Sequence, residues 1–272
     1  MSDLPVILKQ VFAFTKRDAL SWATYRTAAV TQVISIFIGV FSWGIQASYV
    51  QRPVSEMYSS DYISFLIVGL AVGNLIMPLA QGVERQLNPW TLETIFMTGI
   101  NKTAFVIGNV MWTYIFSIIS FIPYLVIGTY LFNAHLNPNI VATFFAFLIS
   151  AAILVGLAMI STGIRIVTKS TDPISWLINV LQNLFAGILF PVVFLDTLFF
   201  PGISTISWFL PQTWVYHLCR LSMLTNPSLT DPAVLQAFLA GTVFAVLLLP
   251  LGYWVFSWGV NRAKREGTLG WY

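Results

Sequence analysis

The side chains able to do chemistry are few, and nearly all stand outside the apolar runs of this chain. Asp18, Asp61, Glu84, Asp172, Asp196 and Glu266 fall at the boundaries of those runs or between them. His135 and His217 are the two histidines and Cys219 the single cysteine. A single cysteine excludes a disulfide framework and a cysteine-based zinc site. No Ser-His-Asp set and no zincin motif can be assembled from two separated histidines. A P-loop requires Gly-Lys followed by Ser or Thr to cradle phosphates, and the chain has no Gly-Lys dipeptide. Proton- or sodium-coupled carriers bind their ion at ionisable groups near the bilayer midplane, where this chain has essentially no charge. The expectation is a non-enzymatic chain with no metal and no cofactor of its own.

What remains is polar and mostly uncharged. WLINVLQNLF places Asn179, Gln182 and Asn183 at i, i+3 and i+4, which is one helical face. Three amides cannot face lipid cheaply. Either they line a pathway or they hydrogen-bond a neighbouring helix. Asn74 and Asn109 pose the same choice singly, and packing explains them more easily. The second constellation is RQLNPWTLETIFMTGINK, residues 85–102, between two apolar runs. Asn88 can cap a helix with Pro89 at its first position. Leu92, Ile95 and Phe96 share a face, and Gly99 can close the helix in a left-handed conformation. The pattern predicts a short amphipathic helix over 88–98, built to dock into a cleft. A plain turn is the alternative, but a much shorter link would serve for that.

These groups must be held by a membrane domain. The chain is 57% hydrophobic and 8% charged, with mean hydropathy +0.81. Soluble domains carry about 25% charged residues, so most of this surface meets lipid or buried protein. Basic residues are dispersed along the chain, which argues against nucleic acid. Six apolar runs are long enough to cross the hydrocarbon: 27–50, 62–83, 103–132, 140–164, 173–194 and 234–258. The expected fold is an all-α membrane protein of six transmembrane helices in one transmembrane domain over 1–272. Pro78, Pro123 and Pro250 are expected to kink their helices.

Lys and Arg favour the cytoplasmic side, and eleven of the thirteen basic residues then fall on one side, leaving Arg52 and Arg220 opposite. Both termini and the 88–98 stretch are therefore expected in the cytoplasm. Before the first span, Leu4, Ile7, Leu8, Val11, Phe12 and Thr15 recur at helical spacing, with Lys9, Lys16, Arg17 and Asp18 at other angles. This predicts an N-terminal interfacial helix over 1–26, rather than a frayed tail. Residues 195–233 are too apolar for a solvated loop and too broken by Pro201, Gly202 and Pro211 for a span. Short external interfacial or re-entrant helices fit them best.

Five stretches in order then resemble a known family, the permease subunit of type 2 ABC exporters. They are FTKRDALSWATYR, DYISFLIVGL, NPWTLETIFMTGINKTAFVIGN, LFPVVFL followed by LPQTWVYHLCR, and NRAKREGTLGWY. The likeness covers almost the whole length. Trp90 stands where the family has Gly before Thr-Leu-Glu, and Gly99 where Pro follows Thr.

The resemblance implies a dimer of permease protomers, homo- or heterodimeric, in the plasma membrane. Two separate ATP-binding subunits would attach below and carry the ATP and magnesium. It maps Thr91, Leu92 and Glu93 onto the coupling segment, with Trp90 and Phe96 as apolar contacts and Lys16, Arg17 and Asp18 beside them. It places Pro191, Pro211, Thr213 and Arg220 at an external gate. Two other readings stay open at this stage: a channel subunit for a lipid-linked glycan, and a non-transporting assembly scaffold. The transported substrate is not legible.

Overall fold

The computed structural model describes residues 4–48, 58, 61–82, 95–168, 176–177, 180–181, 184–198, 200–228 and 230–267. Helix accounts for 84% of the described residues, with no strand among them, an all-α fold. The helices are α1 (Leu4–Thr24), α2 (Arg26–Ser48), α3 (Tyr62–Gly82), α4 (Lys102–Phe132) and α5 (Ile140–Thr168). Three short helices follow, α6 (Leu195–Leu198), α7 (Ile203–Trp208) and α8 (Pro211–Leu224), and then α9 (Pro232–Arg265).

Three helices, α4, α5 and α9, are long and apolar enough to cross a membrane, which fits an integral membrane protein. Their 31, 29 and 34 residues exceed the roughly 20 that a span needs. Pro123 and Pro250 lie inside α4 and α9, which continue past them. In α2 and α3 the described apolar stretches are shorter, Val33–Gln46 and Tyr62–Leu75.

The fifth expected span ends early. Its described pieces at 176–177, 180–181 and 184–185 are helical, but the chain leaves the helix at Ala186. Gly187 has φ +75, a left-handed conformation that suits glycine. Pro191 then heads a short 3-10 turn, Val192–Phe194. Helix through 194 is thus corrected to a break at Gly187.

Helix ends follow local chemistry. Asn101 Oδ1 accepts from the Thr103 N–H at 2.9 Å and caps α4. At the other end Asn133 has φ 52, and the Ala134 N–H reaches back to the Gly128 carbonyl at 3.0 Å. Asn139 Oδ1 caps α5, accepting from the N–H groups of Val141 and Ala142 at 3.1 Å each. Pro232 sits at the start of α9, where a missing N–H costs nothing.

Helices α5 and α9 form the closest pair. A Cβ on Gly156 would lie 2.7 Å from the Leu248 carbonyl oxygen, and one on Gly163 would lie 2.7 Å from that of Val255. From the other side, a Cβ on Gly252 would run into the Gly156 carbonyl, and one on Gly259 into that of Gly163. Two glycines seven residues apart on each helix let the backbones touch. Small residues do this in membranes, where lipid supplies no hydrophobic drive between helices. Helix α3 lies deepest, with Phe65, Leu66, Ile67, Val68, Ala71, Val72 and Leu75 all buried.

Helix α8 is no surface helix. Eleven of its 14 residues are buried, and it packs against α3, α5 and α9. The 133–139 connection straps its end: the N–H groups of Asn137 and Asn139 donate to the carbonyls of Met223 and Ser222, both at 3.0 Å.

Candidate functional site

At one end of the bundle α1 lies along α4. Val11 is buried and Ile7 and Thr15 half-buried, whereas Leu8 and Phe12 are 61% and 68% exposed. The expected single apolar face of α1 is therefore divided. Part of it packs on protein and part is left open, because residues at 7, 8, 11, 12 and 15 span too wide an arc for one contact. Phe14 meets the edge of Phe105 at 5.9 Å. The Thr15 hydroxyl lies 3.0 Å from the Val11 carbonyl and 3.5 Å from that of Gly108.

Of the three charged residues expected beside the coupling segment, two form a unit with α4. Arg17 donates to Asp18 Oδ1 through Nε at 2.9 Å and a terminal nitrogen at 2.7 Å. The same nitrogen reaches Asn109 Oδ1 at 3.1 Å, while Asn109 Nδ2 donates to the Phe105 carbonyl at 2.8 Å. Burial pushes the Asp18 carboxyl above its ordinary range, and the Arg17 guanidinium pulls it back. Lys16 is exposed and stands apart. Asn109 is thus a packing residue, as is Asn74, whose amide donates to the Leu70 carbonyl at 3.0 Å.

Trp90, Thr91, Leu92 and Glu93 lie outside the described residues, as do Asn179, Gln182 and Asn183. The chain is described again from Ile95, in one helical turn that Gly99 ends with φ +71. Phe96 in that turn is 6% exposed. Its ring lies 5.3 Å from Phe105, which stacks in turn on Phe256 of α9 at 6.1 Å. Lys264 Nζ stands 5.2 Å from the Phe96 ring. Nearby, the Asn101 N–H donates to Gln10 Oε1 at 3.4 Å and Lys102 Nζ to Asn261 Oδ1 at 2.6 Å. Phe96 therefore occupies the junction of α1, α4 and α9. Sequence reasoning named Phe96 but missed Phe105, Phe256 and Lys264. The two phenylalanines sit inside apolar runs and carry no contrast with their neighbours.

The residues expected at the other site are brought together only in part. Pro191 heads the 3-10 turn, accepting from the Phe194 N–H at 2.9 Å, and Pro211 begins α8. Thr213 is 1% exposed, and its hydroxyl has no hydrogen-bond partner among the described residues. Arg220 departs most from expectation. It is 2% exposed, so it faces inward rather than into an exposed mouth. Its Nε donates to the Phe65 carbonyl at 3.3 Å, and its terminal nitrogens donate to the carbonyls of Gly187 and, at 2.6 Å, Ile188. Gly69 leaves room for it, since a Cβ there would strike the guanidinium. The segment expected outside the spans thus delivers a buried cation into the protein interior from α8.

Around it, the Tyr58 hydroxyl and His217 Nδ1 are 2.8 Å apart, and Trp208 and Trp214 pack at 4.8 Å. This end is a pinned aromatic and backbone network. No cluster of metal-ligating side chains occurs among the described residues. Compared with protein-family models, curated proteins and solved structures, the chain matches none.

Proposed function

We propose that this chain is the membrane-spanning permease subunit of an ATP-driven exporter, moved by separate ATP-binding subunits. One observation carries the reading. Phe96, at the end of the stretch that resembles a coupling segment, is buried where α1, α4 and α9 meet. Force applied to 88–98 from the cytoplasm would reach two long helices through Phe105 and Phe256. A turn that merely joined two spans would have no need to seat an aromatic ring in that junction.

In this reading six apolar segments cross the plasma membrane, the fifth ending at the break at Gly187, with both termini in the cytoplasm. Two protomers pair to form the pathway, and ATP and magnesium belong to the partner subunits. The α6–α8 segment closes the outer end, held by Arg220. The N-terminal helix lies on the inner leaflet, with exposed Leu8 and Phe12 toward lipid and Arg17–Asp18 fixing it to α4.

The test is reconstitution. The chain, expressed with candidate ATP-binding proteins from its own organism, should copurify with one of them. ATPase turnover in vesicles should depend on this chain. A chain that drives uphill export alone on an ion gradient would overturn the proposal, as would residues 88–98 labelled from the outside of intact cells.

A further inference from the structure

We propose that the last three turns of α9 bind an anionic phospholipid. A cleft of about 560 Å³ opens there, lined by Trp254, Ser257, Trp258, Asn261, Arg262 and Arg265. Their order along the helix matches the order of groups in a lipid. Exposed Val243, Val246, Leu247 and Leu251 come first and offer an apolar track for acyl chains. Trp254 and Trp258 follow, also exposed, at the place where indole rings sit between hydrocarbon and headgroups. Beside them the Ser257 hydroxyl is buried with no hydrogen-bond partner among the described residues, and it lines the cleft at the level of a glycerol ester. Asn261 and the two arginines come last.

The charge balance selects the headgroup. Arg262 is bonded to Glu266, which also borders the cleft, at 2.9 Å, and lies 5.7 Å from the Trp258 ring. Arg265 has no ion-pair partner among the described residues and is exposed. Two arginines against one glutamate leave one positive charge on the lining, and Lys102 Nζ, 2.6 Å from Asn261 Oδ1, adds a second beside it, an excess that favours an anionic phosphodiester. A zwitterionic headgroup would bring an ammonium against Arg265. The inference requires only that α9 crosses a membrane. It does not rest on the permease reading.

The test is native mass spectrometry of the detergent-solubilised chain titrated with phosphatidylglycerol or phosphatidylcholine. Phosphatidylglycerol should be retained in preference. Arg265→Gln should lower that retention about fivefold, the effect of one basic residue at a charged membrane surface. Ser257→Ala should lower it less, and Lys9→Gln, on the exposed surface of α1, should leave it unchanged. Free glycerol 3-phosphate should not displace the lipid. Equal retention of both lipids, an unaltered Arg265→Gln variant, an equal loss in Lys9→Gln, or displacement by glycerol 3-phosphate would each overturn the assignment.

Discussion

Arg220 holds Phe65 twice: its guanidinium carbon lies 3.5 Å from the centre of the ring, and its Nε donates to the carbonyl of the same residue. No carboxylate pairs with this buried cation among the described residues. Its charge is compensated by three carbonyl dipoles and an aromatic face. Such an arrangement is costly to break, because three buried acceptors would lose their donors together. Arg220→Gln should lower stability by about 3 kcal/mol. Arg220→Lys should not restore it, since an ammonium cannot present the planar fork that reaches three carbonyls. Thermal unfolding in detergent reads both. Gly69→Ala should cost a similar amount by displacing the guanidinium. The Gly69→Ala, Arg220→Gln double variant should then be less destabilised than the sum of the singles. Strict additivity would show that the two residues do not share one contact.

Gly252→Ala tests the α5–α9 contact. The added methyl meets the Gly156 backbone carbonyl, which cannot turn aside as a side chain would. A loss of about 2 kcal/mol is expected. Gly202→Ala is an instructive counterpart. Space is open around Gly202, but its φ is +96, so its cost reports backbone strain with no steric contact. An unchanged melting temperature for Gly252→Ala would mean that the helices stand farther apart than described.

A pH dependence is expected at the corner between α6 and α7. Asp196 accepts from the Gly202 N–H at 3.1 Å, the Ser204 N–H at 2.8 Å and the Ser204 hydroxyl at 2.5 Å. These bonds, that of the Ser204 hydroxyl first, hold its carboxyl below the ordinary value of 3.8. The folded state then binds fewer protons than the unfolded one. The stabilisation is present above 3.8 and is lost as pH falls through the lowered folded value. Exchange protection of the Gly202 and Ser204 amides, corrected for intrinsic rates, should hold at neutral pH and fall in that acid window. Asp196→Ala should abolish the step. A step that survives in the variant would assign it to another group.

Under the proposed function, Phe96→Ala should uncouple ATP hydrolysis from transport, and Phe96→Leu should retain most coupling by keeping the ring's seat filled. Leu92→Ala combined with Glu93→Ala should also uncouple while leaving membrane insertion intact. Parallel assays of ATPase turnover and export in vesicles decide it. Normal export by the Leu92, Glu93 double variant would remove those residues from the coupling role.

The long helices were the most legible part. Runs 103–132, 140–164 and 234–258 correspond to α4, α5 and α9 because length and hydropathy depend on local composition alone. Gly99 was legible for the same reason: its left-handed conformation ends a turn that Ile95 and Phe96 begin. The seat of Arg220 was not. A lone arginine in an apolar segment marks an anomaly, but nothing local says that the segment folds back onto Gly69, some 150 positions earlier. The division of the α1 face was equally hidden, since Leu8 and Val11 are both apolar and only tertiary packing sorts them. The break at Gly187 lay within reach, given a glycine followed four positions later by Pro191. A run of apolar residues on both sides concealed it.

Asn139 joins three pieces of the chain. Its side-chain oxygen caps α5, its amide nitrogen donates to the Pro227 carbonyl at 2.9 Å, and its backbone N–H donates to Ser222. Withdrawing α8 would therefore strip α5 of its first-turn acceptor and leave the Ser222 and Pro227 oxygens bare in the same movement. The tail of α8 and the head of α5 behave as one welded corner, so any opening at this end must swing the corner whole and bend elsewhere.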